Sequence, residues 1–275
     1  MSLGWNVERE KENMTSFFKG MKRPPLVDMV LAPTVEEMVF RFRRGICDGA
    51  DGADAFGVQL DWLRRELRTE ARLREAFAYL GDRPLYVTNY AKNFSAGMSA
   101  DDRVEELKLA VRCGATLVDV PGDLFAPDPF ELTRDARAID RQRQAIDAFH
   151  ALGVEVIMSS HVCKFLPEEA VVELALEHQR RGADIAKFVT YSGSEAELDA
   201  NFQTIRTLKR ELKIPFLFLS NGPYCKMHRV LGPYFGVCMW LCTDTYAGQS
   251  SLDQPLLRSM AEVVRNCDLT PNVRA

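Results

Sequence analysis

The sequence predicts a (β/α)₈ barrel, eight parallel strands each followed by a helix, folded as one domain. Three observations carry that expectation. Short β-branched or apolar runs alternate eight times with longer stretches of helical period, and no break in composition separates the units. The 275 residues, 47% hydrophobic and 27% charged, suit one barrel-sized core. The Gly-rich phosphate turn that a doubly wound open sheet carries after its first strand is missing, because Ala32-Pro33-Thr34 stands there.

Residues 1–22 read as a charged lead-in that begins with the expression scar Met1-Ser2-Leu3 and ends at Lys22-Arg23-Pro24-Pro25, leaving 23–275 for the barrel domain. Leu26 to Ala32 is the first strand, and Thr34-Val35-Glu36-Glu37 is a capping box that opens a helix to about Gly45. Ala55 to Asp61 and Trp62 to Tyr79 form the second unit. In the third, Pro84 to Tyr90 is extended, and a helix capped by Ser99 stops at Cys113-Gly114. Thr116 to Pro121 is followed by a loop with prolines at 121, 127 and 129 and a helix from Arg134 to Leu152. The fifth and sixth units are Val154–Ser160 with Pro167–Arg181, and Asp184–Thr190 with Ser194–Leu212. Phe216 to Asn221 precedes a short helix at 226–231, and Gly236 to Leu241 precedes a last helix at 252–267.

The net charge of −4 has no basic run or acidic tail behind it, so no nucleic-acid or membrane-surface partner is expected. No apolar stretch is long enough to span a bilayer, and the first residues lack the apolar core of a signal peptide; the expectation is a cytoplasmic protein. The seven cysteines are scattered among apolar residues, as reduced core thiols are. Cys238 and Cys242 have no second pair and no suitably spaced histidine, so neither a metal nor a cofactor is expected.

Gly182-Ala183-Asp184-Ile185-Ala186-Lys187-Phe188-Val189-Thr190 sets one lysine in a run that reads as a buried strand. A buried ammonium must be paired, lose its proton, or serve chemistry that uses a neutral amine. Two readings of Lys187 stand on this window: a nucleophile near a strand's C-terminal end, or a lysine snorkelling from an edge strand. In a barrel the polar residues closing the strands face one pocket, and here they are Asp61, Asn89, Tyr90, Asp119, His161, Lys187, Ser220 and Asn221. His161 leaves the strand next to that of Lys187, and an imidazole beside an imine-forming amine can move protons near neutral pH. His150, His178 and His228 lie in helical or loop context and are given no catalytic role.

Met158-Ser159-Ser160-His161, the run ending at Lys187, Arg229 followed by Gly236, and Ala247-Gly248-Gln249 together resemble the ordered motifs of type I 3-dehydroquinate dehydratase. The resemblance runs from about residue 26 to the end and is dense in the second half. It implies a barrel in which Lys187 forms an imine with a keto-acid substrate and His161 is general base and acid for loss of water. It further implies that Arg229 holds the substrate carboxylate, that Gln249 lies on a closing loop, and that the protein is a homodimer.

The first half departs from the family's pattern. Gly57, Gln59 and Asp61 stand where the family has a glutamate and an arginine before its aspartate. Tyr90 replaces an arginine, Asn93-Phe94 a glutamate-bearing turn, Pro121 the glutamate beyond Asp119, and Thr245-Tyr246 a small Ser-Ala pair. Each lost charge would grip a hydroxyl or orient the histidine. Substrate contacts are accordingly expected from Gln59, Asp61, Tyr90, Asp119, Asn221, Arg229, Thr245 and Gln249. Three readings follow: a dehydratase with relocated contacts, a Schiff-base lyase or aldolase acting on a less hydroxylated keto acid, and a non-catalytic barrel homologue.

Overall fold

The computed structural model describes residues 17–47, 52–246 and 252–267. Eight parallel strands form one curled sheet in the order β7-β6-β5-β4-β3-β2-β1-β8, which is the topology of a (β/α)₈ barrel. The strands are β1 (Leu26–Val30), β2 (Ala55–Gln59), β3 (Leu85–Thr88), β4 (Leu117–Pro121), β5 (Glu155–His161), β6 (Ile185–Tyr191), β7 (Phe216–Asn221) and β8 (Trp240–Cys242). Helices α1 (Val35–Cys47), α2 (Glu70–Phe77), α3 (Ala100–Arg112), α4 (Ala136–Ala151), α5 (Glu168–Arg180), α6 (Glu195–Glu211), α7 (Cys225–Phe235) and α8 (Leu257–Asn266) alternate with them. Across the seam, the Cys238 N–H donates to the Phe216 carbonyl at 2.9 Å, which joins the approach to β8 onto the start of β7.

Local signals explain most of these bounds. Thr34 Oγ1 accepts from Glu37 N–H (3.2 Å), Ser99 Oγ from Asp102 N–H (3.0 Å) and Ser194 Oγ from Glu197 N–H (3.2 Å), so each hydroxyl satisfies an orphan donor of a first helical turn. The strands are buried along nearly their whole length, as parallel strands covered by helices must be. Phe17 and Phe18, at the end of the lead-in, also join the core.

Four elements differ from the sequence expectation. The stretch expected as one helix from Trp62 to Tyr79 is helical only over α2, with 3₁₀ turns before and after it. Buried Arg68 is the reason: its guanidinium donates to the Leu63 carbonyl at 2.9 and 2.7 Å and pairs with Glu106 at 2.6 Å, drawing that segment across the barrel rim. Thr69 then starts α2 by accepting from Arg72 N–H. α7 continues through Pro233 to Phe235, past the expected stop at 231, and β8 is displaced from 236–241 to Trp240–Cys242. There Trp240 N–H pairs with the Pro25 carbonyl (2.9 Å), and the Trp240 indole N–H with that of Val230 (2.9 Å). α8 begins at Leu257 rather than 252 because Thr243 N–H donates to Pro255 O and Leu257 N–H to Thr243 O, tying residues 255–257 to the end of β8.

β6 lies between β5 and β7, and Lys187 is 4% exposed. The lysine therefore does not snorkel from an edge. Among the described residues no helix is long and apolar enough to cross a membrane.

Candidate active site

Register decides which side chains share the barrel interior. Ser159 on β5 pairs with Lys187 on β6, and His161 lies two residues further along β5. Side chains two apart on a strand point the same way, so Ser159, His161 and Lys187 face one space, with His161 about 7 Å nearer the mouth at ~3.3 Å per residue. Tyr86 on β3 meets Lys187 there, although β3 and β6 are not neighbours in the sheet, and this contact fixes the direction as inward.

Lys187 Nζ donates to Tyr90 Oη at 2.6 Å, to Tyr86 Oη at 3.0 Å and to Asp119 Oδ2 at 3.1 Å. Asp119 Oδ2 also accepts from Tyr90 Oη–H (2.8 Å) and from the Tyr86 hydroxyl, while Ser159 Oγ donates to Oδ1. Burial pushes the Asp119 carboxyl up, but the Lys187 charge and the Ser159 and Tyr86 hydroxyls outweigh it and hold the group below its ordinary range. Burial, and then the Asp119 charge, raise both phenols well above theirs, so Tyr86 and Tyr90 remain neutral O–H donors. Tyr86 is fully buried, whereas Tyr90 is half-buried and presents its ring edge-on to His161, with centroids 5.1 Å apart.

His161 has a carboxylate partner that the sequence reading did not find. Glu131 Oε2 accepts from the His161 backbone N–H at 2.7 Å and lies 2.8 Å from Nδ1. A carboxylate on Nδ1 fixes the proton there, which leaves Nε2 with its lone pair toward the pocket. Burial raises the Glu131 carboxyl, and the hydrogen bond and charge of His161 more than reverse that, leaving it below the ordinary 4.5. The expectation that the histidine had lost its orienting charge is thus corrected: the carboxylate comes from the loop between β4 and α4, not from the ends of β3 or β4.

That loop is held rigidly. Arg181, 3% exposed, donates to the Gly122 and Thr133 carbonyls and to Gln142 Oε1, while Gln142 Nε2 donates to the Pro121 carbonyl. Glu131 itself takes a φ of +48°, a conformation that costs a non-glycine residue on the order of 1–3 kcal/mol and that fits a site where placement matters. Its carbonyl passes so close to residue 122 that a Cβ there would lie 2.3 Å from it, so only glycine fits.

Ser160 Oγ donates to that same carbonyl at 2.8 Å, so His178 Nε2, 3.0 Å away, supplies the proton on its side. His178 and His228 are fully buried, and desolvation lowers both to about 3. Below pH 6.5 the unfolded chain protonates each imidazole while the folded chain does not, so stability falls with falling pH from 6.5 towards 3. The slope reaches roughly 1.4 kcal/mol per pH unit for each ring. Urea midpoints measured from pH 7.5 to 5 should decrease accordingly, and His228→Phe should remove about half of the decrease; an unchanged slope would show that the ring takes its proton in the folded protein.

The remaining expected residues spread around the mouth. Asp61, 1% exposed, accepts from Tyr90 N–H (3.3 Å) and Asn93 Nδ2 (2.7 Å), so it ties down the loop after β3; burial raises its carboxyl against those bonds. Gln59 ends β2, half-buried, in register with Thr88. Arg229, 7% exposed on α7, donates from Nε to Ser220 O (2.9 Å) and from Nη2 to Asn221 Oδ1 (2.8 Å), which fixes its fork beside the end of β7. Burial lowers its basicity, with Asp253 opposing. Thr245 is half-buried, and its carbonyl accepts from Thr243 Oγ1 (2.9 Å). Gln249 lies outside the described residues.

Gly57 faces inward between Met29 and Tyr86. A Cβ at this position would meet Met29 Sδ at 2.2 Å, so a thioether fills the space in which a longer polar side chain would stand.

The profile of the type I 3-dehydroquinase family matches residues 30–267. A 3-dehydroquinate dehydratase of Geobacillus sp. (strain WCH70) is 33% identical over 85 residues, a stretch that spans 30% of this chain and a third (33%) of that enzyme's length. Among solved structures, the type I 3-dehydroquinate dehydratase from Clostridium difficile with covalently modified comenic acid superposes with a TM-score of 0.70 at 18% identity, over 88% of this chain and 92% of that one. The 3-dehydroquinate dehydratase from Geobacillus kaustophilus HTA426 gives 0.72 at 17% identity, over 89% and 92%. At those identities the structural likeness speaks for the fold.

Proposed function

Since the chain belongs to the type I 3-dehydroquinase family, we propose that it is a hydro-lyase that binds a keto acid as an imine on Lys187, with His161 as the proton carrier and a substrate less hydroxylated than 3-dehydroquinate. The observation that carries this reading is the joint placement of Lys187 against Asp119 and two phenols with His161, backed by Glu131, two residues along the adjoining strand.

The chemistry follows from the geometry. Lys187 Nζ adds to the ketone carbon and water leaves, giving an iminium whose charge Asp119 faces. The iminium draws electrons from the neighbouring C–H bond, so Nε2 of His161 takes that proton and an enamine forms. The enamine electrons then expel a hydroxyl two carbons from the imine carbon, and the imidazolium returns its proton to that leaving oxygen. Glu131, 2.8 Å from Nδ1, stabilises the imidazolium between the two transfers. Arg229 holds the substrate carboxylate near the end of β7.

Substrate choice follows from the first half of the barrel. Met29 over Gly57 and the Tyr90 ring are poor partners for hydroxyls, and each hydroxyl left without a charged partner loses about 1.5–3 kcal/mol of binding. The test is a series of ring keto acids with decreasing hydroxyl number, followed by absorbance. kcat/KM should rise as hydroxyls are removed, and 3-dehydroquinate should turn over far below the median enzyme rate of about 10 s⁻¹. Turnover of 3-dehydroquinate at that rate would refute the altered substrate and restore the ordinary one.

A further inference from the structure

We propose that Tyr90 is a third catalytic residue, the acid that protonates the departing hydroxyl when Lys187 and the ketone condense to the imine; the proposal rests on the imine reading above. His161 is then left to act on the carbon skeleton, and imine formation has its own proton path.

The path is a triangle in which every side is a hydrogen bond. Tyr90 Oη is 2.6 Å from Lys187 Nζ and 2.8 Å from Asp119 Oδ2, and Nζ is 3.1 Å from Oδ2. Of the two phenols at Nζ, Tyr86 is fully buried behind the lysine, while Tyr90 is half-buried and lies against the His161 ring, on the side from which a substrate enters. Its backbone is fixed as well, since Tyr90 N–H donates to buried Asp61.

The protons balance along this path. The Lys187 ammonium passes one proton to Asp119, and the free amine adds to the carbonyl carbon, so that a C–N bond forms and the carbonyl π pair moves to oxygen. Tyr90 gives its proton to that oxygen and recovers one from the new ammonium nitrogen, leaving a neutral carbinolamine. Tyr90 next protonates the hydroxyl, the C–O bond breaks, water departs, and the nitrogen lone pair closes the C=N bond. The phenolate takes the proton stored on Asp119 across their 2.8 Å hydrogen bond. In net, two of the three Lys187 ammonium protons leave in the water, one relayed directly from the nitrogen through Tyr90 and one replaced on Tyr90 from Asp119. Asp119 ends as a carboxylate beside the iminium, as it began beside the ammonium.

A phenylalanine at 90 keeps the ring packing on His161 and removes only the acid. With wild-type protein, pyruvate and 3-dehydroquinate in separate arms, and borohydride in excess so that imine formation limits the rate, the reduced adduct on Lys187 should form at least about 100-fold faster than in Tyr90→Phe, the lower range for loss of a general acid. His161→Ala should form the adduct at close to the wild-type rate. Equal adduct rates for wild type and Tyr90→Phe would overturn the role of Tyr90 and leave the imine reading standing; no adduct in the wild type with either ketone would overturn the imine reading and this proposal with it. Should Tyr90→Phe fail to fold, 3-fluorotyrosine at position 90 keeps size and contacts but makes the phenol more acidic, and an adduct rate unchanged by fluorination would overturn the proposal equally.

Discussion

Lys187→Met is expected to abolish turnover of every ketone substrate and also to destabilise the folded protein. The first effect follows from the loss of the attacking nitrogen, since the other groups at the site, a carboxylate, two phenols and an imidazole, form no imine. The second follows from Asp119, which is fully buried and faces the ammonium at 3.1 Å. Removing one partner of a buried ion pair leaves an uncompensated charge and typically costs about 3–5 kcal/mol, more than the pair itself contributes. Without the Lys187 charge, burial pushes the Asp119 carboxyl up, opposed chiefly by the Ser159 and Tyr86 hydroxyls. The double variant Lys187→Met/Asp119→Asn should recover most of the lost stability and none of the activity. If the single variant kept wild-type stability, Asp119 would be solvated well enough not to need the lysine, and the tight enclosure described for Nζ would be wrong.

Glu131→Gln is expected to lower kcat by about 10²–10⁴, the range over which positioned acid–base groups act, while leaving the rate of imine formation on Lys187 unchanged. The amide keeps the shape of the side chain but cannot stabilise the imidazolium. The discriminating measurement is exchange of the substrate's α-hydrogen with D₂O, which should slow with kcat although borohydride trapping does not. A merely structural role would lower both together. Gly122→Ala should produce the same division by another route, because its Cβ would press on the Glu131 carbonyl at 2.3 Å and move the loop that carries the carboxylate.

Much of the barrel was legible because its signals are local. Hydroxyl caps at Thr34, Ser99 and Ser194 and the alternation of apolar runs with amphipathic stretches need no knowledge of distant residues. The failures came where a distant contact decides. Arg68 reaches back to Leu63 and across to Glu106, and this breaks a stretch whose own composition is helical. The short β8 is set by pairing to β1 and by the Trp240 indole, neither of which marks the sequence around 236–241.

The site divides in the same way. Lys187 and His161 announced themselves, the first as a lysine inside an apolar run, which the structure places near the start of β6 and not at its end, and the second as a polar residue closing an apolar strand. Glu131 did not: it is one acid in an irregular loop, thirty positions before the residue that it serves, and only the register of β4 with β5 and the Arg181 clamp bring the two together. Tyr86 sits in a run that reads as ordinary buried strand, and its hydroxyl becomes informative only once β3 is known to face β6 across the barrel. Tyr90 was visible as a departure from the family's arginine, but a substitution by itself says what is lost, and its bonds to Lys187 and Asp119 were needed to show what stands in its place.

The most direct measurement is borohydride reduction of the wild-type protein in the presence of pyruvate or 3-dehydroquinate, followed by proteolysis and mass mapping of every lysine peptide. The expected result is one reduced adduct, on the peptide containing Lys187, formed with at least one of the two ketones and absent from Lys187→Met. Adducts scattered over the surface lysines with Lys187 unmodified, or no adduct with either ketone, would contradict the assignment of Lys187 as the imine-forming residue.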